Sequence, residues 1–185
     1  MTAGENRLAA IIEACRHQDR ASQKELYQLF YSFALAVAMR YTASAEEARE
    51  IVNDVFFRVF TKIDNYNSEL PFKAWLNKVA VHSAIDYYRK YHHAHTAPMA
   101  ELSDAMGVEV DNSVFSRLSA DELRALVQQL PPAYRMAINL YAIEGYNHQE
   151  IANMMGITEG TSKSNLFKAR AKLKQLMLWQ EAISK

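Results

Sequence analysis

A chain of 185 residues, half of them hydrophobic, is long enough for one domain or two small ones with real cores. Its 21 Lys and Arg balance 21 Asp and Glu, which argues against an autonomous, highly basic DNA-coating protein. The single cysteine, Cys15, has no intramolecular partner and fits a reducing cytoplasm, and no secretory leader or membrane-length apolar run argues for export or insertion.

Glycine is scarce, no segment alternates apolar and polar residues, and long stretches carry apolar residues at 3.6-residue spacing, so the fold class is all-α. Helices are expected from about Leu8 to Cys15 and from Gln23 to Arg40, the second with Leu26, Leu29, Phe30, Phe33, Val37 and Tyr41 at core spacing. Ser44 with Glu47 reads as a capping box opening a helix whose buried stripe is Ala48, Ile51, Val52, Val55, Phe56, Val59 and Phe60. The Asn, Asp, Ser and Pro of Asp64 to Pro71 make a loop. Phe72 to about His92 is again helical, with Trp75, Leu76, Val79, Ala80 and Ser83 on one side.

Periodicity then fails. Pro98, Gly107, Ser103, Ser113 and four acids mark an acidic linker, on which Met99, Leu102, Met106 and Val108 are interspersed. The domains are therefore placed at 1–95 and 117–185, with the linker at 96–116. Helices resume from about Phe115 to Gln129, break at Pro131-Pro132, and continue from Ala133 to Glu144. Asn147 with Glu150 forms a second capping signature, Ile151, Ala152 and Met155 make an apolar face, and Gly156 supplies the stop. A helix starting near Thr158 carries Leu166, Leu173 and Leu176 at core spacing, together with Lys163, Lys168, Arg170, Lys172 and Lys174. Capped helix, glycine turn and basic helix together read as a helix-turn-helix and point at DNA; the plainer alternative is a helical hairpin with a solvated lysine face.

Enzymatic machinery is absent: there is no Gly-rich phosphate loop, no activated Ser or Cys, and no zinc-type cysteine pair. Arg16, the nearest base to Cys15, points elsewhere on its helix, so the thiol is a poor redox sensor. His92, His93 and His95 lie close in sequence but point in different directions, and no Cys or acid completes a metal site. Lys78, His82, Ile85 and Arg89 share one helix face, opposite the Trp75 and Val79 stripe, and run into Tyr87, Tyr88 and Tyr91. Rings interleaved with cations suit unstacked single strands, although tyrosines are as readily core residues. Glu50, Asn53, Asp54 and Phe57 form a non-core stripe that is acidic and aromatic, a match for a basic protein partner when it is more than a solvated face.

In combination these blocks resemble the extracytoplasmic-function (ECF) sigma factors of the bacterial sigma-70 family over essentially the whole chain. Glu46 to Phe60 is similar to the part of region 2 that binds the polymerase β′ coiled coil, which implies a core polymerase-binding role for Glu50, Asn53, Asp54 and Phe57. Phe72 to Arg89 is similar to the part that melts and reads the -10 element, implying Lys78, His82, Tyr88 and Arg89 as single-strand contacts. Leu130 to Lys172 resembles region 4, whose helix-turn-helix reads the -35 duplex, implying Thr161, Lys163, Ser164, Asn165 and Lys168. His82 stands where many members carry Asn, and Asn53 replaces a common Gln. The resemblance further implies core RNA polymerase (β′ and β) and promoter DNA as partners, an anti-sigma factor that covers the polymerase-binding surfaces, no cofactor, no catalysis of its own and a cytoplasmic location. The competing readings are a stand-alone helix-turn-helix regulator binding a palindrome as a dimer, which the zero net charge disfavours, and a protein-only interaction module, which leaves the basic final helix without a purpose.

Overall fold

The computed structural model describes residues 3–92 and 119–183, and every regular element among them is helical. The chain divides into two compact units, Met1–Asp86 and Tyr87–Lys185, a division earlier than the boundary placed at residue 95; the linker 96–116 lies outside the described residues, as do His93 and His95.

The first unit begins with α1 (Ala3–Arg16) and α2 (Arg20–Met39), each longer than the hydrophobic pattern alone marks. Between them Gln18 takes a left-handed φ of 59°, and the Asp19 carboxylate accepts the Ser22 N–H at 2.7 Å, capping α2. Helix α3 (Ala45–Thr61) starts at Ser44, whose hydroxyl accepts the Glu47 N–H at 3.2 Å. The expected box is modified: Glu47 reaches one residue further back, to the Ala43 N–H at 2.9 Å. Ala48, Ile51, Val52, Val55, Phe56 and Val59 are buried as their spacing demands, packing α3 on α2, which in turn packs on α1. One assignment on α2 fails. Leu29 is 54% exposed, because the buried stripe of that helix runs through Leu26, Phe30, Ala34, Val37 and Ala38 and leaves the flanking position in solvent.

After a single 3-10 turn at Ile63–Asn65, the loop to Pro71 is pinned rather than loose. The Tyr66 hydroxyl donates to the Leu70 carbonyl at 2.6 Å, the Arg16 guanidinium donates to the Tyr66 carbonyl at 3.1 Å, and Asn67 accepts the Glu69 N–H at 2.9 Å. Beneath it Tyr66, Phe72 and Trp75 form an aromatic cluster with centroids 5.3–5.6 Å apart, extended by Phe30 at 4.8 Å from Phe72. Helix α4 (Phe72–Tyr91) starts at this cluster and buries Leu76, Ala80, Val81, Ser83, Ala84 and Ile85.

The second unit, which takes in the last turn of α4, continues with α5 (Ala120–Gln128), set by a capping box in which Ser119 and Glu122 exchange bonds of 3.2 and 2.8 Å. Pro132 occupies the first turn of α6 (Pro132–Ile138), where its missing N–H costs nothing. Arg135 is buried and donates to the carbonyls of Gln128 and Leu130 at 2.7 and 2.8 Å, so a cation satisfies the free end of α5. The helix expected to run to Glu144 changes character at Asn139–Ile143, a π-helical turn where the buried Asn139 amide donates to the Arg135 carbonyl at 2.9 Å. Helix α7 (His148–Met155) follows and α8 (Glu159–Ile183) closes the unit. Helices α5, α6 and α7 all pack on α8, with Leu126, Leu130, Ala169, Leu173 and Met177 as one core cluster.

Candidate nucleic-acid and polymerase interfaces

The three expected surfaces differ in how the side chains are presented. On α3 the alternation of faces is sharp: Phe56 is 3% exposed and Phe57 is 70% exposed. Glu50, Asn53 and Asp54 are exposed with Phe57, one helical face away from the core stripe. A phenyl ring left in water beside two carboxylates contributes little to folding, and it suits an apolar anchor ringed by polar groups at a protein interface.

On α4 the structure rearranges the expected stripe. Lys78 and His82 are exposed and line a groove of about 350 Å³, but so do Trp75 and Val79, with Arg58, Lys62, Asn65 and Asp86. Trp75 and Val79 therefore share the face of Lys78 and His82 instead of opposing it: positions 75, 78, 79, 82 and 86 recur at i, i+3, i+4, i+7 and i+11. Ile85, placed on that face by its spacing, is buried. Tyr88 is also buried, at 5% exposure, with His92 stacked on it at 5.9 Å, whereas Arg89 is exposed. Sequence reasoning missed Arg58, Lys62, Asn65 and Trp75. The signal for them was positional: Arg58 and Lys62 end α3, Asn65 opens the Asp64 to Pro71 loop and Trp75 lies in the first turn of α4.

The groove has a definite polar arrangement. Arg58 and Asp86 pair at 2.7 Å, half-exposed, tying the end of α3 to α4. His82 Nδ1 lies 2.7 Å from the Lys78 carbonyl. A carbonyl only accepts, so Nδ1 is the donor in this bond and Nε2 is the ring nitrogen left for an outside partner. Aromatic surface from Trp75, cations from Lys62 and Lys78 and a ring nitrogen from His82 are group types that suit an unstacked base and its phosphate.

The helix-turn-helix is built as its sequence signals ask. Asn147 accepts the Glu150 N–H at 2.9 Å while Glu150 accepts the Asn147 N–H at 2.7 Å, a full capping box for α7. Gly156 ends α7 at φ 70°, ψ 36°, left-handed backbone that glycine adopts without a Cβ penalty. Thr158 then caps α8, its hydroxyl accepting the Thr161 N–H at 3.0 Å. Ile151, Ala152 and Met155 are buried with Leu166 and Leu173.

Of the side chains expected to face DNA, Thr161 and Lys163 are exposed, and Ser164 and Lys168 are half-buried. Asn165 is 7% exposed and faces the unit's interior instead, one helical turn from Ser162, which is fully buried. Lys163 pairs with Glu159 at 2.7 Å, and the ammonium holds the Glu159 carboxyl below its ordinary range. His148, the first residue of α7, rests its ring on Tyr141 at 4.8 Å and 21° and reaches Ser162 Oγ at 3.0 Å.

Comparison with known proteins agrees with both units. Residues 26–93 match sigma-70 region 2 and residues 120–173 match sigma-70 region 4. The ECF RNA polymerase sigma factor SigM of Bacillus subtilis (strain 168) is 30% identical over 156 residues, 82% of this chain and 93% of the relative. The ECF RNA polymerase sigma-E factor of Escherichia coli (strain K12) is 28% identical over 171 residues, 86% of this chain and 88% of the relative. The sigma factor RpoE from Bartonella quintana, solved in complex with the anti-sigma factor NepR, superposes with a TM-score of 0.48 at 23% identity over 83% of this chain and 95% of that one. The chain belongs to the ECF RNA polymerase sigma factors of the sigma-70 family.

Proposed function

We propose that the chain binds core RNA polymerase, through the β′ and β subunits, and directs it to promoters by reading the -35 element as duplex and the -10 element as single strand. The observation that carries this reading is the presence, in one chain, of a capped helix-turn-helix with exposed Thr161 and Lys163 and a separate groove that combines Trp75, Lys78 and His82.

The start of α8 enters the major groove, with Thr161 and Lys163 on phosphates and Ser164 and Lys168 at the edge of the contact. Asn165 seats the helix from within. Binding the duplex brings phosphate to Lys163, which then exchanges Glu159 for a partner outside the protein. On α4 an unpaired base of the non-template strand rests against Trp75, and Lys78 and Arg89 neutralise its backbone. His82 offers Nε2 as an acceptor, so it favours an exocyclic amino group, where an asparagine would offer both donor and acceptor. Tyr88 supports α4 from its buried side. Opening the duplex costs a few kcal/mol per unstacked base, offset by aromatic stacking worth about 1–3 kcal/mol per base.

Glu50, Asn53, Asp54 and Phe57 dock on the polymerase, with Phe57 as anchor and the acids steering toward a basic surface. The same stripe is the one an anti-sigma factor would cover. The chain supplies no catalytic group and needs no cofactor; RNA synthesis belongs to the polymerase, and the work is done in the cytoplasm. No described helix is long and apolar enough to cross a membrane.

Run-off transcription tests the proposal. Core polymerase with this protein should transcribe from promoters selected from genomic DNA by the mixture, and core alone should not. Transcription indifferent to the protein on every selected template would overturn it.

A further inference from the structure

We propose that His148 is a positioning residue of the recognition helix, that Tyr141 and Ser162 hold its ring between α7 and α8, and that the ring takes up a proton when the -35 duplex binds. This deepens the reading of the second unit as the duplex-binding one and rests on it.

The geometry gives the ring two anchors. Tyr141, from the π-helical turn, covers one face at 4.8 Å, and the Arg170 guanidinium lies 5.9 Å from the same tyrosine ring. Ser162 Oγ, on the first turn of α8 and fully buried, lies 3.0 Å from Nδ1. That pair spans the turn of the helix-turn-helix, so it fixes the register of α8 on α7 independently of the apolar core. A serine hydroxyl both donates and accepts. Opposite neutral imidazole it can donate to Nδ1, and opposite imidazolium it can rotate and accept. The anchor therefore survives protonation, and Nε2 is the atom left for a phosphate oxygen.

The charge environment sets the direction. Burial and then Lys163 hold the His148 pKa below its ordinary value, against a lesser opposing pull from Glu159 and with a still smaller contribution from Arg170; Glu150, the acid on α7 itself, is engaged in the capping box. In free protein at neutral pH the ring is thus neutral. Phosphates arriving at Lys163 bring negative charge to the same place, which favours the imidazolium. The pKa then rises on binding, a proton is taken up, and the duplex binds more tightly as pH falls through the window between the free and bound values. A rise of one unit makes binding up to about tenfold tighter at the acid end of that window.

The test compares the wild type with His148→Gln and Ser162→Ala, each as full-length chain assembled with core polymerase, for affinity to a selected promoter between pH 5.5 and 8. The His148→Gln amide can still reach Ser162 but cannot titrate. It should bind with a flatter pH profile, the difference from wild type growing toward low pH. Ser162→Ala should weaken binding severalfold at every pH and keep the wild-type slope. Parallel profiles for wild type and His148→Gln would overturn the proposal. Should the glutamine variant not fold, an NMR titration of the His148 ring in the full-length wild type, free and saturated with duplex at low salt, where phosphate contacts bind DNA without sequence preference, decides instead: a pKa that does not rise in the bound state overturns it. Failure here, with polymerase assembly and promoter-dependent transcription intact, leaves the sigma reading standing; failure of assembly removes that reading itself.

Discussion

The adjacent pair Phe56 and Phe57 separates folding from function within a single helical turn. Phe56 is 3% exposed and packs against Tyr27 with ring centroids 4.6 Å apart, so truncating it to Ala removes a buried ring and leaves a cavity, a change that costs about 3–5 kcal/mol. Phe57 keeps 70% of its surface in water. The fold shields less than a third of it, and full burial of such a side chain is worth only about 1.5–3 kcal/mol, so Phe57→Ala should cost folding less than about 1 kcal/mol. For polymerase binding the order reverses. An aromatic anchor at the centre of an interface is worth about 2 kcal/mol or more, so Phe57→Ala should weaken core polymerase binding by about thirtyfold. Urea unfolding of both variants, with core polymerase affinity measured by labelled-protein titration, gives the four numbers needed. The reasoning is refuted if Phe57→Ala destabilises the chain as much as Phe56→Ala, or if it folds normally and binds polymerase with unchanged affinity.

Gly156→Ala forces a Cβ into left-handed backbone at φ 70° and should lower stability by about 1–2 kcal/mol, read as a drop in thermal midpoint, with duplex binding falling in parallel because the turn orients α8. Lys163→Ala should weaken promoter binding for all sequences alike and reduce the magnitude of the salt slope by about one, measured as log affinity against log salt; a change of sequence preference without a change of slope would place Lys163 on a base instead. Cys15 is buried, and burial with Asp19 nearby pushes its thiol up to about 11. The folded state thus favours the neutral thiol: this contribution to stability is complete below the ordinary thiol pKa and is lost as pH rises through about 11. Native protein at pH 8 should react with a thiol reagent far more slowly than urea-unfolded protein, and equal rates would contradict the burial.

Much of the fold was legible because local rules and tertiary packing agree. The α3 stripe, the Asn147–Glu150 box and the Gly156 stop are each a short-range signal that the packed structure also needs. The misreadings arise where periodicity alone leaves the face ambiguous. On α4 the apolar residues are spread around the helix, so Trp75 and Val79 join the groove while Ile85 and Tyr88 turn inward. Asn165 reads as a polar reader on a basic helix, yet it occupies the inner face next to Leu166 and Ala169. The π-helical turn at Asn139 has no sequence marker of its own; it goes with buried Arg135 and Asn139, whose partners are backbone carbonyls that no pattern of hydrophobicity reveals. Ser119 with Glu122 is a further capping signature at the same three-residue spacing. The site was less legible than the fold because an interface is a set of side chains from separate segments, here Arg58, Asn65, Trp75 and His82 on one groove.

The central claim, that promoter recognition belongs to the complex of this protein with polymerase, is tested most directly by gel shift at graded salt with this protein alone, core polymerase alone, and the two combined, on promoter DNA selected by the mixture. The account predicts specific binding and strand opening only in the mixture, weakening steeply with salt as phosphate contacts demand. Tight, specific duplex binding by the protein alone, to which polymerase adds nothing, would contradict it.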